Sequence, residues 1–133
     1  MSAFMSADVL GAWDTARIES IKLPVDSKAA HLLDTIGPRI AAASLGMADA
    51  RQLKRWASDR EEPRSHAVAE RLDALYWIVR AIEQVYSVPV AVRFLRAANP
   101  QLHDEAPLLA LATASGVTEI GRVLSATRAF LDG

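Results

Sequence analysis

The chain has 133 residues, 51% of them hydrophobic, with a formal net charge of −1 and no cysteine. That length suits one compact domain or two small helical lobes around a buried core, and the apolar content argues for a folded globule and against a disordered chain. The lack of cysteine excludes disulfides, thiol catalysis and zinc ribbons, and no apolar run reaches membrane-spanning length.

The opening MSAFMSADVL has neither the basic region nor the apolar run of a secretory signal, so a soluble cytoplasmic protein with no membrane contact is expected. Residues 1–25 are read as a loose arm or a short helix. Leu10, Trp13, Arg17 and Ile21 share a rough face there, but Gly11 interrupts it. Leu23-Pro24 ends this arm, because a residue before proline is pushed out of the helical region. Asp26 is placed as the cap of a helix running to about Thr35, with Ala29, Leu32, Leu33 and Ile36 inward.

The stretch Ile36–Trp56, IGPRIAAASLGMADARQLKRW, has the pattern of a helix-turn-helix. Pro38 suits a first helical position, Gly46 suits the turn, and Asp49 with Gln52 suggests a capped restart. Leu53 and Trp56 lie inward at i and i+3, leaving Arg51, Gln52, Lys54 and Arg55 on other faces. From Ile36 to Arg64 six basic residues stand against four acidic ones, a local excess of +2 in a slightly acidic protein. The expected DNA surface is Arg51, Gln52, Lys54 and Arg55, with Arg39 and Arg60 on phosphates. Gln52 is the expected base reader, since its amide can pair with adenine.

Ser65 caps the longest predicted helix, running to about Tyr86. Val68, Leu72, Leu75, Val79, Ile82 and Tyr86 alternate by four and three along it. Trp77, Ile78 and Val85 add apolar surface off that seam, to be covered by the chain itself or by a dimer partner. Three further helices are predicted: Pro89–Ala98, Pro107–Thr113, and a last one from Thr118. In the last, Ile120, Val123, Leu124, Thr127 and Leu131 share one face, with Arg122, Ser125, Arg128, Ala129 and Asp132 towards the other. No segment has strand periodicity, and the expected fold class is all-α.

From Phe94 to Gly133 the chain resembles the C-terminal toxin-binding domain of Xre/MbcA/ParS-type antitoxins. Phe94-Leu95, Asn99-Pro100, Leu102, Pro107, Leu111, Thr113, Gly116, Ile120, Val123-Leu124 and Gly133 hold the places of that domain's pattern. Gly46, Arg55-Trp56, Pro63 and Arg71-Leu72 are similar to the family's Xre-like helix-turn-helix. Phe94 stands where the family usually has Trp. The gap from Gly46 to Leu53 is one residue longer than usual, and one residue turns a helix by about 100°.

The chain then divides into three segments: an arm at 1–25 that lies outside the resemblance, a helix-turn-helix region with the long helix at 26–86, and a toxin-binding domain at 87–133, the last two implied by the resemblance. It implies an antitoxin that covers the active site of a cognate NAD-depleting RES-domain toxin with its C-terminal region and binds its own operator DNA. A homodimer, or a larger complex with the toxin, is expected. Arg122, Ser125, Arg128, Phe130 and Leu131 are the expected toxin contacts, the last two read as free to enter an apolar pocket.

His31, His66 and His103 are scattered without metal-ligand spacing, and no phosphate loop or nucleophile motif occurs. Neither catalysis nor a cofactor is expected. The alternative is a stand-alone helix-turn-helix regulator whose C-terminal part serves for dimerisation.

Overall fold

The computed structural model describes residues 2–133, with side chains from Asp8 onward. Among them all regular structure is helical: α1 Ser2–Lys22, α2 Val25–Thr35, α3 Pro38–Ser44, α4 Arg51–Asp59, α5 His66–Val85, α6 Val88–Arg96, α7 Pro107–Ala112 and α8 Gly116–Asp132. A single 3-10 turn, Pro100–Leu102, sits between α6 and α7. No helix among the described residues is long and apolar enough to cross a membrane.

The helix α5 is the axis of the molecule. Leu72, Leu75, Ile78, Val79 and Ile82 are buried along it, in one continuous apolar cluster with Leu32, Leu45, Leu53, Trp56, Leu95, Leu111, Val123 and Leu131. Such a helix, apolar on more than one side, must be covered on more than one side. The chain does this itself, packing α1, α2, α6, α7 and α8 against α5. The Ser65 hydroxyl accepts the Val68 amide at 3.4 Å and caps α5, as its sequence suggests.

Residues 2–22 form a 21-residue helix rather than a loose arm or short helix. Its inward stripe is Val9, Trp13, Ala16 and Ser20, of which Ala16 and Ser20 are small enough for a close approach to α5. The Trp13 and Trp77 rings lie 4.6 Å apart, and the Trp77 indole donates to the Trp13 carbonyl at 3.1 Å. A polar layer continues the seam. The Glu19 carboxylate accepts from the Tyr76 hydroxyl at 2.7 Å and the Arg80 guanidinium at 3.0 Å. Glu83 pairs with both Arg80 and His31, extending the layer to α2.

Lys28 is buried at 5% exposure in α2, where a charge must be paired. Its ammonium meets the Asp73 carboxylate of α5 and donates to the Ser20 carbonyl in the last turn of α1 at 2.9 Å. Cations are favoured at that negative end of a helix. One lysine therefore ties three helices together.

Four helix starts differ from the sequence reading: α2 begins at Val25 with Pro24, not Asp26, at its cap position, and α6 begins at Val88, capped by Ser87, rather than at Pro89. Ala50, not Asp49, takes the cap position of α4, without a side-chain cap bond; the Asp49 carboxylate instead accepts the Arg51 amide at 3.0 Å. Helix α8 begins at Gly116, two residues before Thr118, with Ser115 at its cap position. Helix α6 stops at Arg96 rather than Ala98.

Candidate functional site

Two surfaces gather the residues singled out in the sequence: the outer face of α4 and the outer face of α8. The first rests on α3 and its turn. Gly37 precedes α3 at φ +86 and Pro38 opens it. At its end, Met47 donates to the Ala42 carbonyl at 2.9 Å and Gly46 to the Ala43 carbonyl at 3.1 Å. This double closure, with Gly46 at φ +78, is the left-handed helix stop that glycine favours. The turn spans 45–50 and leaves Leu53 and Trp56 buried at 0% and 1% exposure.

With α4 anchored through that pair, Arg51, Gln52, Lys54 and Arg55 are exposed, as are Arg39 and Arg60 beyond its two ends. Arg51 and Arg55 form the centre of the stripe, Lys54 one edge, and Gln52 lies about 100° round from Arg51, on a flank. The charge is less free than the sequence suggests. Arg51 pairs with Asp49 at 2.8 Å, Arg55 with Glu61 at 3.4 Å and Arg60 with Asp26 at 3.6 Å. Hydrogen bonding from Arg51, then to its backbone amide, holds the Asp49 carboxyl down at about 2. Arg39 and Lys54 make no ion pair among the described residues. Exposed pairs of this kind contribute little and can be exchanged for phosphates.

On α8 the inward stripe Ile120, Val123, Ala126, Thr127 and Leu131 is buried, and Arg122 and Ser125 are exposed on the other side. The remaining three expected contacts part company. Leu131 is 2% exposed, so it closes the core and cannot enter a pocket on another molecule without unpacking this one. Its spacing of four from Thr127 and eight from Val123 sets this. Arg128 is half-buried, pairs with Asp132 at 3.3 Å and lies 5.9 Å over the Trp13 ring, so it fastens α8 to α1. Phe130 is 37% exposed and stacks within a ring cluster, 4.8 Å from Phe94 and 5.8 Å from Tyr86.

That cluster borders an open groove of about 480 Å³ lined by Val90, Arg93, Phe94, Ala97, Pro100 and Phe130. Arg93 and Arg96 were not expected here, and Tyr86, expected on the inward seam of the long helix, is 46% exposed. Arg93 and Arg96 lie in the last turn of α6 and are exposed, as is Tyr86 at the end of α5. Their signal was the basic last turn following an apolar helix.

One further residue connects the two surfaces. The Arg71 guanidinium, projecting from α5, donates to the Ala114 carbonyl at 2.7 Å and the Leu45 carbonyl at 3.3 Å. The turn between α3 and α4 and the loop before α8 are thereby held by the same side chain.

No family model, no curated protein and no solved structure matches this chain.

Proposed function

We propose that this chain is an antitoxin that works by contact alone. Its C-terminal region covers the active site of an NAD-depleting RES-domain toxin, and α4 binds operator DNA. The observation that carries the reading is the outer face of α8, where Arg122 and Ser125 are exposed on a helix whose opposite side is fixed in the core. A rigid, arginine-bearing helix face is suited to pairing with carboxylates at the mouth of a cleft. The groove beside Phe130 offers an apolar anchor next to it.

The test is NAD consumption by a RES-domain toxin titrated with this chain. Deleting α8 is unsuitable, because it removes Val123 and Leu131 from the core. The double change Arg122→Glu with Ser125→Trp is chosen instead. It is expected to leave the helical content intact and to abolish inhibition. Full inhibition by that variant overturns the occlusion by α8.

The stand-alone regulator is the second reading, and the exposed basic stripe of α4 favours it. It differs in one outcome: tight operator binding with no effect on any RES-domain enzyme.

A further inference from the structure

Large apolar side chains exposed on the described surface are Leu10, Ile18, Ile21, Tyr86, Leu109, Val117 and Phe130, and three of these seven lie on α1. They are on the side turned away from α5. Leu10, Asp14, Arg17 and Ile21 follow one another there at intervals of four, three and four, the spacing of a coiled-coil seam. Leu10 is 47% exposed and Ile21 68%, and Ile18 flanks the stripe at 46%. Asp14 and Arg17 are exposed and form no ion pair among the described residues. Among the described residues, none closes over the stripe.

The order along the stripe is apolar, acid, base, apolar. Read from the other end it becomes apolar, base, acid, apolar. An antiparallel helix of the same sequence therefore places Leu10 against Ile21 of the second copy and Asp14 against Arg17 of the second copy, each contact occurring twice about a two-fold axis. That is the arrangement a self-complementary two-fold interface requires. Parallel pairing sets Asp14 on Asp14 and Arg17 on Arg17, and like charges across an interface are repulsive. Gly11, beside the stripe, has open space where a side chain would be, so the chain's own packing does not fill that position.

We infer that the outer face of α1 is a docking surface for a second copy of this chain, paired antiparallel through Leu10–Ile21 and Asp14–Arg17. The inference stands apart from the proposed toxin and DNA contacts, since it uses none of their residues. A single helix pair buries less than the about 1,200–2,000 Å² of a tight interface, so a weak dimer of about micromolar affinity or below is expected.

Sedimentation equilibrium of the full chain over a concentration series tests it. The mass is expected to rise from 14.4 kDa towards twice that value. Ile21→Glu, at a position outside the core, is expected to hold the chain at the monomer mass with an unchanged helical spectrum. Asp14→Arg or Arg17→Asp alone places like charges together twice, and each is expected to weaken association about tenfold, equivalent to about 1.4 kcal/mol. The double swap restores opposite charges in the antiparallel pair and is expected to return the original affinity. A monomer at every concentration overturns the proposal, as does a dimer indifferent to Ile21→Glu. A double swap no tighter than the single ones overturns the antiparallel pairing.

Discussion

Arg71 reaches Ala114 across 43 positions of sequence, its Nε–H donating to the backbone carbonyl at 2.7 Å. The same guanidinium bonds the Leu45 carbonyl where α3 ends. A planar, multi-donor cation can serve two carbonyls at once, and an ammonium on a flexible stem does so less well.

Arg71→Ala is therefore expected to lower stability by about 1.5–3 kcal/mol, the range for a hydrogen bond to a charged group. Urea unfolding reads this as a lower midpoint at an unchanged slope. Arg71→Lys is expected to recover part of the loss. An unchanged midpoint for Arg71→Ala contradicts the role given to this side chain.

Gly46→Ala meets two obstacles. Position 46 has φ +78, and an added Cβ runs into the Ala112 carbonyl oxygen of α7, a backbone atom that cannot swing aside. The left-handed backbone alone costs about 1–2 kcal/mol for a residue with a Cβ. A fall in the melting temperature larger than that strain explains is expected, whereas Gly11→Ala, in open space within a helix, is expected to stabilise by a few tenths to about 1 kcal/mol.

Acid should loosen α1. Burial disfavours the Glu19 carboxylate, but the Tyr76 hydroxyl, the Arg80 guanidinium and His31 outweigh it and hold its carboxyl below the ordinary range. Burial and the bond to Glu19 push the Tyr76 hydroxyl up. A carboxyl lowered in the folded state contributes stability that is present above its unfolded value, about 4.3, and is lost as the pH falls through the folded one. The unfolding free energy of the native chain is thus expected to decline more steeply below that pH than that of Glu19→Gln. Parallel curves for the two proteins count against the Glu19 contribution.

For the basic face of α4, the change of Arg51, Lys54 and Arg55 together to Ala is expected to abolish duplex binding while sparing inhibition of a RES-domain toxin. Single changes at phosphate-contacting positions are expected to reduce the slope of log affinity against log salt by about 0.9 each. A slope unaffected by all three changes excludes this face as the phosphate contact. Arg51 and Arg55 already hold Asp49 and Glu61, so Asp49→Ala is expected to strengthen duplex binding modestly.

Why some of this was legible in sequence and some was not follows from where the apolar residues sit. In α2 and α8 the large side chains fall on one stripe, and in α5 they fill a seam and extend beyond it, so Leu32, Leu72, Leu75 and Val123 announced their burial. Helix α1 is the reverse case. Its buried stripe includes Ala16 and Ser20, while Leu10, Ile18 and Ile21 face out, so its hydrophobic pattern has two competing sides and its inward one is the weaker. What decides the matter is the partner: Trp77 and Tyr76 on α5 supply the bulk that α1 lacks. Leu131 was legible only in part: it was placed on the inward stripe of α8, yet its nearness to the end of the sequence made it an expected contact, and burial decides for the stripe. The Arg71 contacts were not, because carbonyls of residues 45 and 114 become neighbours only after folding.

The first helix and the last both lean on α5, and Arg128 of the last reaches over Trp13 of the first. Trimming at either extremity thus strips cover from the same central apolar rod. Without α1, Trp77 is bared to water, and without α8 so is the side of α5 that α8 covers, the kind of exposure that cellular quality control recognises. The two helices thus share one duty, and neither can be spared while the other remains.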